Sequence, residues 1–288
     1  MYQLVVNGLT MGCIYALIAF GFILIYNAVG AVNFAQGDLV MVGSYFGVLA
    51  VGLFGLDPFG AMVVVIAGSA AAGYVFQRLA YYPLRDGPTI NVVISCLGAG
   101  IFLRNAAQNV AGPEPYTMKP FFGAELVELS GLAIPSQSIF VVVLTVILFA
   151  VQYWFFFRTS LGRMLRATAN DKYAARLAGI PVRRMIALAF VISSVMAGMA
   201  GFVLVPIFLA SPNMGFGLVV KAWIGVVIGG FGSVPGAIVG GILVGLLETF
   251  TASLISSDYK DVITMLVLLA VLFLRPQGIF SEPVQEKV

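Results

Sequence analysis

Stretches of apolar residues about twenty long recur along this chain, and nothing constrains its fold more than their length. At about 1.5 Å of rise per residue, some twenty helical residues cross a hydrocarbon core of about 30 Å. Ten-residue segments of alternating polarity, the mark of a membrane barrel, are missing. Backbone amides in lipid must then be satisfied within helices. The expected fold is therefore all-α, a polytopic transmembrane bundle formed by residues 1–288 as one domain. Composition agrees: 61% of the residues are hydrophobic and 9% charged, where soluble domains carry about 25% charged residues. No basic residue precedes the first apolar run, so that run is expected to stay as a helix and not to be cleaved as a signal peptide.

The apolar runs cover roughly residues 5–25, 39–54, 61–79, 90–110, 139–157, 186–208, 218–228, 237–250 and 262–274, which predicts eight or nine spans. Those at 39–54 and 218–228 are short, glycine-punctuated and accompanied by Asp38 or Lys221, the pattern of a broken helix lining a cavity. Orientation follows from the basic residues, which collect in cytoplasmic loops. The loop 158–184 holds Arg158, Arg163, Arg166, Lys172, Arg176, Arg183 and Arg184 against the single acid Asp171, a local charge of +6 in a chain whose total is +3. It is read as cytoplasmic, with Arg78, Arg85 and Arg275 on the same side. The N-terminus and the loop 111–138, which carries Glu114, Glu125 and Glu128, then lie outside.

Within the basic loop, residues 170–181 carry a start and a stop for one short helix. Asn170 is an N-cap candidate, Asp171 suits the positive end of the dipole, Arg176 the negative end, Gly179 the left-handed C′ position, and Pro181 prevents resumption. Such a helix has about two turns and is marginal alone in water, so something must dock against it. Ala174, Leu177 and Ala178 share one face at the i, i+3, i+4 spacing. A second helix-prone stretch, 161–169, precedes it. Taken alone, these residues fit either a partner's docking helix or a basic connector resting on anionic headgroups.

The motif Ala174-Ala175, three residues, then Gly179 is similar to the signature loop of ABC importer permeases, with Tyr173 in place of the usual Glu. Longer blocks resemble the branched-chain amino acid permease family of the LivH type. They include Asn7-Gly8-Leu9, Tyr15-Ala16-Leu17, Val32-Asn33-Phe34-Ala35-Gln36-Gly37-Asp38, Gly162-Arg163, Leu165-Arg166-Ala167, Ala197-Gly198-Met199-Ala200-Gly201, Gly229-Gly230-Phe231-Gly232-Ser233-Val234-Pro235-Gly236 and Leu274-Arg275-Pro276-Gln277-Gly278. In the Asn33 block Gln36 stands where His is expected and Asp38 where Glu is expected. The resemblance implies a permease subunit of the inner membrane that translocates branched-chain amino acids. Its partners would be a second related permease or a second copy, two cytoplasmic ATPases and a periplasmic substrate-binding protein. Arg163, Arg166, Asp171, Ala174, Ala175, Leu177, Ala178 and Gly179 would form the ATPase-coupling loop. Urea, short amides or other amino acids are alternative cargoes in the same family.

No phosphate loop of the form Gly-x-x-x-x-Gly-Lys-Ser/Thr occurs, so no cofactor is expected in this chain and ATP is assigned to the partner subunits. Histidine is absent, and Cys13 and Cys96 sit apart within apolar runs, so neither a metal site nor catalysis is expected. An ion-coupled secondary transporter is the rival class, but few carboxylates fall within the spans.

The remaining candidates are polar residues in or near spans. Asn33, Gln36, Asp38 and Asn91 are candidates for a translocation path; the first three fit equally an ordinary turn capped by Asp38, and Asn91 a hydrogen bond across helices. Lys221 and Glu248 join them: each lies 12 to 14 residues from the turn at 233–235, so a helical hairpin sets them at depths within about 3 Å of each other, where they pair or face the path unless Lys221 snorkels to the interface. Arg104, Asn105 and Gln108 form a polar cluster expected near the outer face. Gly229, Gly232, Gly236 and Gly240 repeat at intervals of three or four residues, which suits close helix packing or a seam between two permeases.

Overall fold

In a computed structural model that describes residues 1–123, 126–129 and 132–280, every apolar run becomes a helix. The elements are α1 (Tyr2–Val29), α2 (Gln36–Gly52), α3 (Pro58–Phe76) with a π-helical turn Gln77–Tyr81 and a 3-10 turn Tyr82–Leu84, and α4 (Thr89–Ala111). Then come β1 (Leu126–Leu129), β2 (Leu132–Pro135), α5 (Ser136–Arg158), α6 (Ser160–Asn170), α7 (Lys172–Leu177), α8 (Val182–Leu204), α9 (Met214–Gly229), α10 (Val234–Leu254) and α11 (Lys260–Leu274). The expectation of eight or nine spans is only approximate. Among the described residues, six helical stretches are long and apolar enough to cross a bilayer: α1, α3 with its two turns, α4, α5, α8 and α10. The helices α2, α9 and α11 are shorter, with 17, 16 and 15 residues.

One departure from the all-α expectation is the hairpin of β1 and β2 in the loop 111–138, antiparallel with Leu126 opposite Pro135 and Leu129 opposite Leu132. Glu125 lies outside the described residues, as does the side chain of Glu128.

Loops gather at two ends. At one, Asn27 donates to the Gly232 carbonyl, Lys172 reaches the Val29 carbonyl, Ile279 N–H donates to the Ile228 carbonyl and Tyr81 lies near Arg176. The segments carrying Arg78, Arg85, Arg158 to Arg184 and Arg275 therefore share this basic end. At the other end Tyr116 and Ala210 exchange backbone hydrogen bonds, and Gln137 donates to the Val203 carbonyl.

Central positions go to α1 and α8, while α4 and α5 are peripheral and keep most of their surface for surrounding apolar groups. In lipid the hydrophobic effect gives no preference for helix over tail, so helices associate through close packing of small residues. Between α1 and α10 the backbones touch: a Cβ on Gly245 would overlap the Gly12 backbone, and one on Gly241 the Ala16 backbone. The glycine repeat that a second permease was one candidate to cover is consumed inside this chain. Gly229 meets Gly236, and Gly240 meets Gly225, closing α9 on α10. Gly232 is not a packing residue; it takes φ 96° in the turn before α10, a left-handed conformation that favours glycine.

Two helices begin inside the bundle. Gln36, the first residue of α2, sits beside Gly21 and Ser193, roughly 12–16 Å along α1 and α8 from their basic ends at 1.5 Å per residue. The chain thus turns back at 30–35 to the middle of the bundle and α2 runs outward from there. After α8 it turns back again at 205–213, and α9 runs from the interior to the basic end. Their N-termini meet, with the Gly37 and Gly215 backbones so close that neither position has room for a Cβ.

Candidate functional site

At the basic end α6 and α7 form the feature that projects from the bundle. Thr159 caps α6 by accepting from Gly162 N–H at 3.0 Å. Asp171, not Asn170, caps α7: its Oδ1 accepts from Tyr173 N–H at 2.7 Å and Ala174 N–H at 3.0 Å. Asn170 is the last residue of α6 and so has helical backbone, which the N-cap role excludes. Gly179 takes φ 78° and ends the helix in the left-handed conformation.

Ala175, a member of the expected coupling loop, is buried against the bundle. Ala174, Leu177 and Ala178 face outward, with Leu177 74% and Tyr173 71% exposed. Lys172 donates to the Val29 carbonyl at 2.6 Å and so ties α7 to the C-terminus of α1, where unpaired carbonyls attract a cation. Burial, and then the charge of Arg176, hold the Lys172 ammonium below the usual lysine range. Arg163 and Arg166 lie on α6, and Arg166 stacks over the Phe157 ring at 4.5 Å.

Two groups of charges lie among the spans. In the first, Arg104 of α4 donates to Asp38 Oδ1 at 3.2 Å from Nε and 3.1 Å from its terminal nitrogen, and the Asp38 side chain is 6% exposed. Arg104 therefore belongs in the bundle and not to a cluster at an outer mouth. It is the one basic residue between Arg85 and Lys119, and a buried acid in a span needs a partner, which is the signal that could have assigned the pair. In the second, Lys221 of α9 pairs with Glu248 of α10; Lys221 also lies 3.3 Å from Asp261 and Glu248 3.4 Å from Lys260. Tyr15 of α1 donates to Glu248 Oε2 at 2.6 Å. Tyr15, Lys260 and Asp261 were not singled out from sequence, because only the fold brings α1 and the start of α11 to this hairpin.

The helix α9 divides these groups. Its Phe216, Val219, Val220 and Trp223 face a cavity of about 520 Å³ that reaches Asp38 and Arg104. Its Met214, Gly217, Leu218 and Lys221 face another of about 390 Å³ that reaches Tyr15, Glu248 and Lys260. Gln36 and Asn91 do not join either. Gln36 accepts from Ser193 Oγ at 3.0 Å and fastens α2 to α8. Asn91 is exposed in the first turn of α4. Asn33 is buried at the turn into α2, its Oδ1 accepting from Ala35 N–H and its Nδ2 without a hydrogen-bond partner among the described residues. Cys13 and Cys96 are buried free thiols, and no cluster of His, Cys, Asp or Glu suited to a metal occurs among the described residues.

Residues 4–272 match the family described as the permease component of branched-chain amino acid transport systems. The high-affinity branched-chain amino acid transport system permease protein BraD of Pseudomonas aeruginosa is 38% identical, over 99% of this chain and 97% of its own length. Its counterpart LivH of Escherichia coli K12 is 34% identical with the same coverage. A LivH protein of Methanocaldococcus jannaschii is 28% identical over 91% of this chain and 87% of its own. An inward-facing structure of a metal-chelate type ABC transporter shares the fold, with a TM-score of 0.54 and 14% identity over 93% of this chain and 84% of that one. The chain is thus a multi-pass membrane protein that belongs to the branched-chain amino acid transport permease family.

Proposed function

We propose that this chain is one membrane-spanning subunit of an ABC importer in a bacterial inner membrane. A periplasmic binding protein delivers branched-chain amino acids to it, and two cytoplasmic ATPase subunits, which bind the ATP, drive it. A second permease, related or identical, completes the path. The observation that carries this reading is α7: a six-residue helix with its own cap, a left-handed stop, an exposed face of Tyr173, Ala174 and Leu177, and a lysine tied to the central helix. So short a helix gains little in water from hydrogen bonding alone, and its exposed face fits a groove on an ATPase. Closure of the ATPases on ATP then pushes α7, and the tie from Lys172 to Val29 passes the push to α1, which packs on α8, α9 and α10.

The test is Ala174→Arg. Ala174 is exposed, so the larger side chain leaves the bundle intact while blocking a groove. Leucine uptake in cells is expected to fall at least about tenfold, the effect of about 1.4 kcal/mol of lost docking, with the permease still present in the membrane and ATPase co-purification weakened. Wild-type uptake and undiminished ATPase co-purification in this variant would refute the coupling role. The ligand of the partner binding protein, read by thermal shift with leucine, urea and acetamide, decides among the cargoes of this family.

A further inference from the structure

The cavity between α2, α4 and α9 has the makings of a ligand site. Its volume of about 520 Å³ falls within the roughly 300–1,000 Å³ of small-molecule sites. The walls are apolar and aromatic, including Phe22, Leu97, Ile101 and Trp223, and its charged lining is Asp38 and Arg104. Next to it two helix N-termini meet at Gly37 and Gly215, each equivalent to about half a positive charge. Arg104 adds a full positive charge, and Asp38 offsets only part of the total. The cavity therefore carries a surplus of positive potential beside one carboxylate. On the other face of α9, Lys221 and Lys260 are tied into one network with Glu248 and Asp261.

Resting on the importer reading above, we infer that the cavity is a transit site for an apolar amino acid in its zwitterionic form. Arg104 and the N-terminus of α2 take the α-carboxylate, Asp38 takes the α-ammonium, and Leu97, Ile101 and Trp223 take the side chain. Arg104 and Asp38 neutralise each other, and a bound zwitterion would replace that pair by two pairs of the same kind. Buried charges are never left alone during binding or release, which keeps the desolvation cost low. The free amide nitrogen of Asn33, buried just before α2, leaves one more donor at this turn.

The experiment uses the whole importer in proteoliposomes, with radiolabelled leucine and phenylalanine as probes and size-exclusion chromatography as the check on assembly. Trp223→Ala enlarges the wall and is expected to raise phenylalanine uptake relative to leucine by about tenfold, the low end for a pocket changed by several carbons. Asp38→Asn with Arg104→Gln keeps the shape and removes both charges; leucine uptake is expected to fall by at least about tenfold, a loss of one charge-assisted contact or more. Exchanging the two, Asp38→Arg with Arg104→Asp, restores a pair but places the carboxylate-binding group on the wrong helix, so uptake stays low. An exchange variant with wild-type uptake overturns the proposal, because a merely structural pair is rescued in this way. An unchanged phenylalanine-to-leucine ratio in Trp223→Ala overturns it independently, whether or not the charge variants assemble. ATP-driven leucine uptake by the wild-type complex tests the importer reading itself, so the two failures give different results.

Discussion

Removing Lys221 from its network should cost less than breaking a buried ion pair ordinarily does, because Glu248 keeps other partners. Deleting one member of a buried pair costs about 3–5 kcal/mol, because the other charge is left uncompensated in a medium that solvates it poorly. In Lys221→Met, Glu248 keeps the Tyr15 hydroxyl at 2.6 Å and Lys260 at 3.4 Å, which retains one charged hydrogen bond of about 1.5–3 kcal/mol. The expected cost is about 2 kcal/mol. In Glu248→Gln, Lys221 keeps Asp261 at 3.3 Å, whose side chain is 62% exposed, and the Tyr15 ring at 5.9 Å from its centroid, and each such partner is worth about 0–1 kcal/mol. The expected cost there is about 3 kcal/mol. The double variant removes both charges and should lose about 2 kcal/mol, less than the two single losses together by about 3 kcal/mol. Equilibrium unfolding of the purified protein in mixed micelles, followed by tryptophan fluorescence, measures all three. Additivity of the single effects to within about 0.5 kcal/mol would refute the reasoning, since it would mean that the two charges do not depend on each other.

Three further outcomes are expected. Gly245→Val should destabilise by about 1–3 kcal/mol or more, because α1 and α10 must part to admit the side chain. Gly30→Ala, at φ 79° with nothing within 4 Å of the added methyl, should cost only about 1–2 kcal/mol for the left-handed backbone; the same unfolding assay separates them. Because the Lys172 ammonium is held below the ordinary lysine range, the folded state binds fewer protons than the unfolded one. Stability relative to Lys172→Met should therefore rise with pH between that lowered value and the ordinary pKa of about 10.4. Thermal unfolding in a pH series checks the sign, and a fall over that window refutes it.

Much of the framework was legible because it rests on local physics. A run of apolar residues in lipid has no partner for its amides but its own helix, and this holds wherever the run packs. Asp171, Gly179 and Pro181 bounded α7 through backbone geometry that each imposes on its neighbours. The matched depths of Lys221 and Glu248 came from counting residues to a turn in one hairpin. Where two residues competed for one local role, the reading slipped, as with Asn170 and Asp171.

Chemistry and spacing along the chain by themselves determined that it is a helical membrane protein, roughly where its apolar helices run, and that its basic loop contains a short capped helix. Only the tertiary structure decided that α2 and α9 begin mid-bundle and touch at Gly37 and Gly215, that Asp38 meets Arg104 across 66 residues, and that the glycines of α9 and α10 are covered from within. A helix is fixed by hydrogen bonds four residues apart. Which of its faces meets which neighbour depends on close packing between distant segments, and that information is not carried by any one of them.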